Sequence, residues 1–226
     1  IKKLSQLMTS NSSINLYNFG NYSKEIINCL NKIDKKKIDA LSLKILYGIK
    51  KSNKIVFMGN GGSAANAIHI VGDYMKTFSF LGYKPRISTP FDNACFLTAV
   101  SNDSDFNESF YLYLRSVIEK DSIIIMLSGS GNSINLIKCF NDNFIKKTKG
   151  TESWSLTGFN GGKLSKLSDK WIHLPTMDME AAEDMQMIIF HYIKKVVYNK
   201  LSDNKNNFDD LNNDRYYKRT ILDEIS

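Results

Sequence analysis

The sequence predicts an α/β fold, a three-layer sandwich of helices around a parallel sheet, and three observations carry that reading. Short apolar runs such as KIVFM at 54–58 and SIIIML at 122–127 have the length of strands and no polar side to turn toward water. Segments with helical spacing alternate with them. Both runs end in turns rich in glycine and serine that open a helix, GNGGS at 59–63 and SGSGNS at 128–133.

Taken in order, the chain starts with a polar segment, 1–20, ahead of a single domain expected over 21–201. Apolar residues at helical spacing (Ile26, Ile27, Leu30, then Ile38, Leu41, Leu43 and Leu46) predict two N-terminal helices between Tyr22 and Lys51, broken at Asp34. The first apolar strand and its glycine turn follow. A short strand is expected over Arg86 to Thr89, then helices over Phe91 to Val100 and Asn107 to Glu119. The second strand and turn lead into INLIKCFNDNF, which reads as a helix. SWSLTGFNGG and KWIHLP each read as a strand ending in a turn, and Glu180 to Leu201 as one long helix. Ligands in such sheets gather at the carboxyl ends of the strands. From 202 to 226 the chain is polar and rich in Asn and Asp, an extension expected to order only against a partner.

Composition narrows the function classes. A hydrophobic share of 42% with 12% aromatics, in 226 residues, supports a packed core. Cys29, Cys95 and Cys139 are far apart and form no CxxC pair, which argues against a disulfide framework or zinc ribbon and for a reducing compartment. No run approaches the roughly 18 apolar residues of a membrane span, and IKKLSQLMTSNSS lacks the apolar core of a signal peptide. The expectation is a soluble, cytoplasmic protein. The net charge of +7 comes mostly from scattered lysines, with guanidinium groups only at Arg86, Arg115, Arg215 and Arg219. No clustered basic stripe interleaved with aromatics is present, so nucleic acid is not the expected partner.

A strand that ends in Gly59-Asn60-Gly61-Gly62-Ser63 and opens a helix points backbone N–H groups and the positive end of the helix dipole at one place, which suits an anion. The turn of Ser128, Gly129, Ser130, Gly131, Asn132 and Ser133 repeats the device with three hydroxyls. Two such cradles at neighbouring strand ends make a phosphate pocket. Neither matches GxxxxGK[ST] or GxGxxG, which argues against a nucleoside triphosphate or a dinucleotide.

Farther along the first of these helices, His69 and Asp73 are four residues apart and share a face. Glu183 and His191 lie eight apart on the last helix, separated by about 80° around its axis. Two histidines and two carboxylates on two helices form a possible tetrahedral zinc set. Spacing alone favours the plainer alternative, His69 in the core and Glu183 a solvated acid.

GNGGSAANAIH, LSGSGNS and LTGFNGGKL, in this order and at this spacing, resemble the sugar isomerase (SIS) domain of the phosphoheptose isomerase family over roughly Ser23 to Lys200. The resemblance implies a five-stranded parallel sheet and a homotetramer. It implies a phosphate held by Ser63, Ser128, Ser130 and Ser133, with further substrate contacts from Asn60, Gly61, Gly129, Asn102 and Asp103. It makes His69 a zinc ligand and His191 a residue of both metal and catalysis. Asp73 stands where the family has glutamate, Glu183 where it has glutamine, and Gly129 where threonine is common, yet Asp73 and Glu183 both still offer oxygen ligands. The implied chemistry is aldose–ketose isomerisation of sedoheptulose 7-phosphate to a heptose 7-phosphate for surface polysaccharide, through an enediol. Zn2+ would polarise the oxygens, and Asp73 or Glu183 would move the proton with His191 as partner. Some SIS-domain proteins are instead binding modules, including a bacterial regulator that docks on the replication initiator, and others act on different phosphosugars. His173, Trp154, Trp171 and the methionines from Met177 to Met187 are expected to be structural.

Overall fold

The computed structural model describes residues 18–202. The N-terminal helices α1 (Phe19–Lys32) and α2 (Lys35–Lys51) are separated by a break that the sequence itself supplies. Asp34 accepts a hydrogen bond from the Lys36 N–H and caps α2, a role that short acidic side chains fill well. Strand β1 (Lys54–Met58) runs into α3 (Gly61–Phe80), then β2 (Arg86–Ser88), a 3₁₀ turn at Pro90–Asp92, α4 (Ala94–Asp103) and α5 (Phe106–Val117). Strand β3 (Ile123–Ser128) precedes α6 (Ile134–Lys138), a 3₁₀ turn at Asn141–Asn143 and α7 (Phe144–Lys147). Strand β4 (Glu152–Thr157), α8 (Leu164–Leu167), β5 (Lys170–His173) and α9 (Met179–Ser202) complete the described chain.

All five strands pair in parallel, in the order β2-β1-β3-β4-β5. Successive residues of a strand point to opposite faces, and the core divides accordingly. Ile55, Phe57, Ile123, Ile125, Leu127, Trp154, Leu156 and Ile172 pack beneath α1, α2, α3 and α9. Val56, Met58, Ile124 and Met126 pack beneath α4 to α8, against Leu97, Phe110, Leu114, Leu136, Ile145 and Leu164. This is the predicted three-layer sandwich, with all six residues of β3 buried at its centre.

Three details depart from the sequence reading. The helix expected over INLIKCFNDNF stops at Lys138, and farther on Asp142 and Asn143 take left-handed backbone conformations (φ 55 and 53) that their short polar side chains tolerate. Ile27 and Leu43, read as part of the apolar spacing, are exposed. The short helices α7 and α8 carried too little periodicity to be seen. Most of the polar start and nearly all of the tail lie outside the described residues. Among the described residues no helix is long and apolar enough to cross a membrane, and the three cysteines are free, with Cys29 and Cys139 buried.

Phe57 is the side chain on which the first face closes. It is fully buried and meets the rings of Tyr74 on α3 and Phe190 on α9 edge to face, with centroids 6.1 and 5.2 Å away. Phe57→Ala is expected to lower the unfolding free energy by about 3–5 kcal/mol in a urea titration. A loss below about 1 kcal/mol would show that α3 and α9 do not depend on this contact.

Candidate active site

Parallel pairing of β1 with β3, in register from Ile55 and Ile123 to Met58 and Met126, brings the turns that follow them to the same edge of the sheet. Sheet order changes direction there: β2 lies on one side of β1 and β3 on the other, so the two turns flank a crevice between strands. A reciprocal amide pair joins them. Asn60 donates to Asn135 Oδ1 (2.9 Å) and Asn135 donates to Asn60 Oδ1 (2.8 Å).

That pairing has a cost at the start of α3. Asn60 is the N-cap residue, but its side chain makes no capping bond, because Asn135 occupies it. Glu183, from α9, supplies the missing acceptor: its Oε1 takes the Ser63 N–H at 3.1 Å, the bond an N-cap side chain would normally make. Gly62 is what lets the carboxylate lie so close, since a Cβ there would sit 2.0 Å from Glu183 Oε2. The positive end of α3 holds the anion. Burial pushes the Glu183 carboxyl up from its ordinary value, with the Ser63 N–H opposing and the Glu180 and Asp184 charges adding to the rise.

The second cradle is built by backbone approach. Ser128 is buried, and its hydroxyl accepts from the Gly131 N–H at 3.0 Å and lies 3.5 Å from the Ser133 hydroxyl. Ser130 Oγ accepts from the Asn132 N–H at 3.2 Å. The third glycine motif, Gly158 to Gly162, braces this loop. A Cβ on Gly131 would stand 2.1 Å from the Gly161 carbonyl oxygen, and one on Gly162 would stand 2.5 Å from the Ser130 carbonyl oxygen. Leu164 N–H bonds the Gly131 carbonyl (3.0 Å) and Lys163 N–H bonds Asn132 Oδ1 (3.1 Å), which closes the two loops on each other. Gly129 has its own reason. A Cβ at that position would meet Met179 Sδ at 1.9 Å, so the methionine at the start of α9 fills the space a threonine would need.

Further along α3, His69, Asp73 and His191 bring one ligand atom each within 4.8 Å of one another. His69 Nε2 and His191 Nε2 are 3.0 Å apart, with ring centroids at 5.2 Å. A tetrahedral zinc with bonds of about 2.0–2.2 Å separates its ligand atoms by roughly 3.3–3.5 Å, so these donors fit such an ion with small side-chain movement. Asp73 Oδ2 accepts from Lys194 Nζ at 2.5 Å, and Lys76 Nζ lies 3.8 Å from Oδ1. Burial holds the His191 imidazole below its ordinary value, and the His69 and Lys194 charges deepen that shift while Asp73 opposes it.

Other proteins resemble this chain in sequence and fold. A family model for the SIS domain matches residues 18–143. A phosphoheptose isomerase of Aneurinibacillus thermoaerophilus is 32% identical over 169 residues, which are 74% of this chain and 83% of that protein. The chain belongs to the SIS-domain phosphoheptose isomerase family. A phosphoheptose isomerase 2 of Campylobacter jejuni is likewise 32% identical, over 71% of this chain and 78% of that one. The fold matches the solved phosphoheptose isomerase of Francisella tularensis with a TM-score of 0.73 at 20% identity, over 84% of this chain and 99% of that chain. For the Neisseria gonorrhoeae enzyme the TM-score is 0.70 at 22% identity, over 79% and 95%.

Against the family pattern the residues expected at the site fall into three groups. His69, Asp73 and His191 converge. Asn60, Gly61, Ser63, Ser128, Gly129, Ser130 and Ser133 build the two cradles, and Glu183 lies at the first cradle rather than in the three-residue cluster. Asn102 and Asp103 stand apart at the end of α4, exposed and bonded to each other at 2.9 Å, with no hydrogen bond to the cradles among the described residues. Asn135 and Lys194 are neighbours of the candidate site that the sequence reading did not single out, while Met179 packs beside Gly129 as the structural role expected for it allows. Only Lys194, three residues after His191, had a spacing that could have revealed it. His173 is structural, its Nε2 2.7 Å from the Phe159 carbonyl.

Because the folded chain favours neutral His191, that preference stabilises it above the ordinary value of 6.5 and is lost as pH falls through the lowered one. An NMR titration of the metal-free protein should place the His191 midpoint below 6.5. A midpoint at or above that value would contradict the account of its surroundings.

Proposed function

We propose that this family member is a phosphosugar aldose–ketose isomerase that converts sedoheptulose 7-phosphate to D-glycero-D-manno-heptose 7-phosphate for surface polysaccharide, in the cytoplasm and with one zinc ion per subunit. The observation that carries the reading is the placement of both functions on α3: an anion cradle at its N-terminus and His69 and Asp73 about 9 and 15 Å farther along its axis. A phosphosugar laid along that helix puts its phosphate at one end and its carbonyl at the other.

The chain's own groups divide the work. Ser63, Ser128, Ser130 and Ser133, with the N–H groups at the start of α3, hold the phosphate and so fix the distance of the reacting carbons from His191. His69, Asp73 and His191 would hold a zinc ion, which would supply Lewis-acid polarisation of the carbonyl and hydroxyl oxygens. The isomerisation then needs a base to remove the proton beside the carbonyl and return it to the neighbouring carbon. Asp73 or Glu183 would be that carboxylate, with His191 as proton-transfer partner. Burial raises the Glu183 carboxyl, whereas Asp73 is engaged by the Lys194 ammonium. Glu183 also occupies the Ser63 N–H, so a phosphate entering the first cradle would displace it from that donor.

A homotetramer is part of the proposal. Ile68 and Met75 on α3, and Ile188 and Tyr192 on α9, are 42–49% exposed beside the histidines, an apolar surface suited to another subunit. The convergence of His69, Asp73 and His191 supports an enzyme over a pure binding module, which has no use for clustered ligands.

Turnover of sedoheptulose 7-phosphate, followed by the appearance of the aldose phosphate, should vanish on chelation and return with zinc. His191→Ala should lack turnover under all conditions while binding the phosphosugar nearly as tightly as wild type. Full activity after chelation would overturn the metal assignment, and retained turnover in His191→Ala would overturn the role of that residue.

A further inference from the structure

Lys194 is the feature of the site that the isomerase reading does not use. It lies on α9 one turn beyond His191 and reaches across to α3, where its Nζ stands 2.5 Å from Asp73 Oδ2. Both members of this pair are largely withdrawn from water, with 16% of the lysine side chain and 9% of the aspartate exposed. Lys76, on the other side of the carboxylate, is 46% exposed and 3.8 Å away, the geometry of a weak surface pair. Asp73 therefore meets its main counter-charge in Lys194, and it does so with the carboxylate that the His69 and His191 rings converge on.

A carboxylate has acceptor sites for both an ammonium group and a divalent cation, but placing both beside Asp73 brings two positive charges together in a partly dry site and weakens the hold on each. Without the ammonium, Asp73 would be a largely buried charge with only the exposed Lys76 ammonium 3.8 Å away, a costly arrangement. We propose that Lys194 is the resident counter-ion of the metal site: it neutralises Asp73 while no divalent cation is bound and competes with that cation for the carboxylate. Metal affinity in this chain is thereby set below what His69, Asp73 and His191 alone would give, and the metal-free fold is kept stable. The proposal rests on the metal reading of the preceding section.

Zinc affinity of the metal-stripped full-length protein, read by competition with a chromophoric zinc chelator, tests it without reference to turnover. Lys194→Met should bind zinc about tenfold or more tightly than wild type, because a positive charge next to the ligand is gone. Its metal-free form should unfold at lower urea, with added zinc restoring much of the loss. Lys194→Gln, which keeps a polar group in the same space, should show the same direction. Lys194→Arg, which keeps the charge, should stay within about threefold of wild type. Unchanged or weaker zinc binding in Lys194→Met and Lys194→Gln, or an arginine variant that behaves like them, would overturn the counter-ion role and leave the metal site standing. Absence of zinc binding in wild type and variants alike would overturn the metal reading and this proposal with it.

Discussion

The crossing of α3 over α9 is the constraint on which the rest of the site depends. Ser63, His69 and Asp73 belong to one helix, and Glu183, His191 and Lys194 to the other, so the pairs Ser63–Glu183, His69–His191 and Asp73–Lys194 all span the two. Bonds along its length fix the register. The Asn66 amide donates to the Glu183 carbonyl (2.9 Å) and to Gln186 Oε1 (3.2 Å), and the buried Tyr74 hydroxyl donates to the Phe190 carbonyl (2.7 Å). A slip of one residue would move a side chain by about 1.5 Å along the axis and 100° around it, enough to part His69 from His191. Phe57 beneath the crossing resists that slip through packing, and the buried amides and hydroxyl resist it through direction.

At the second cradle the constraint is volume. Gly131, Gly161 and Gly162 have positive φ and no room for a side chain: Gly131 and Gly162 lie against backbone, and Gly161 against the side chains of Trp171 and Ser165. The motif LTGFNGGKL thus brings no chemistry of its own. It holds the serine loop in shape, and a loop so held presents its N–H and hydroxyl groups without having to be ordered when a ligand arrives.

Much of this was legible before any coordinates. Uniformly apolar strands, the glycine turns after them and the break at Asp34 all depend on local chemistry, and local chemistry is what a sequence displays. The cradles were legible for the same reason. What a sequence does not display is which side chain a distant element delivers. Asn135 engages Asn60 across 75 positions, and only then does Glu183 become the cap of α3 from 120 positions away. Spacing placed Glu183 with the histidines on a helical wheel. The unsatisfied Ser63 N–H drew it to the cradle instead. Gly129 stands where the family commonly has threonine, and Met179 fills the space a side chain there would need. The stretch INLIKCFNDNF is helical only to Lys138, and Asp142 and Asn143 beyond it turn left-handed at little cost, a choice that periodicity cannot report.

The two acids of the site share a design. Each is engaged by a positive partner other than the ligand it would serve: Glu183 by the N-terminus of α3, Asp73 by Lys194. A carboxylate left bare in a partly buried cleft would raise the energy of the empty protein, so these partners let the chain fold with its site assembled. The same engagement makes each ligand a competitor. On the proposed reading an anion would compete with Glu183 for the helix terminus, and a cation at Asp73 would meet the Lys194 ammonium beside it.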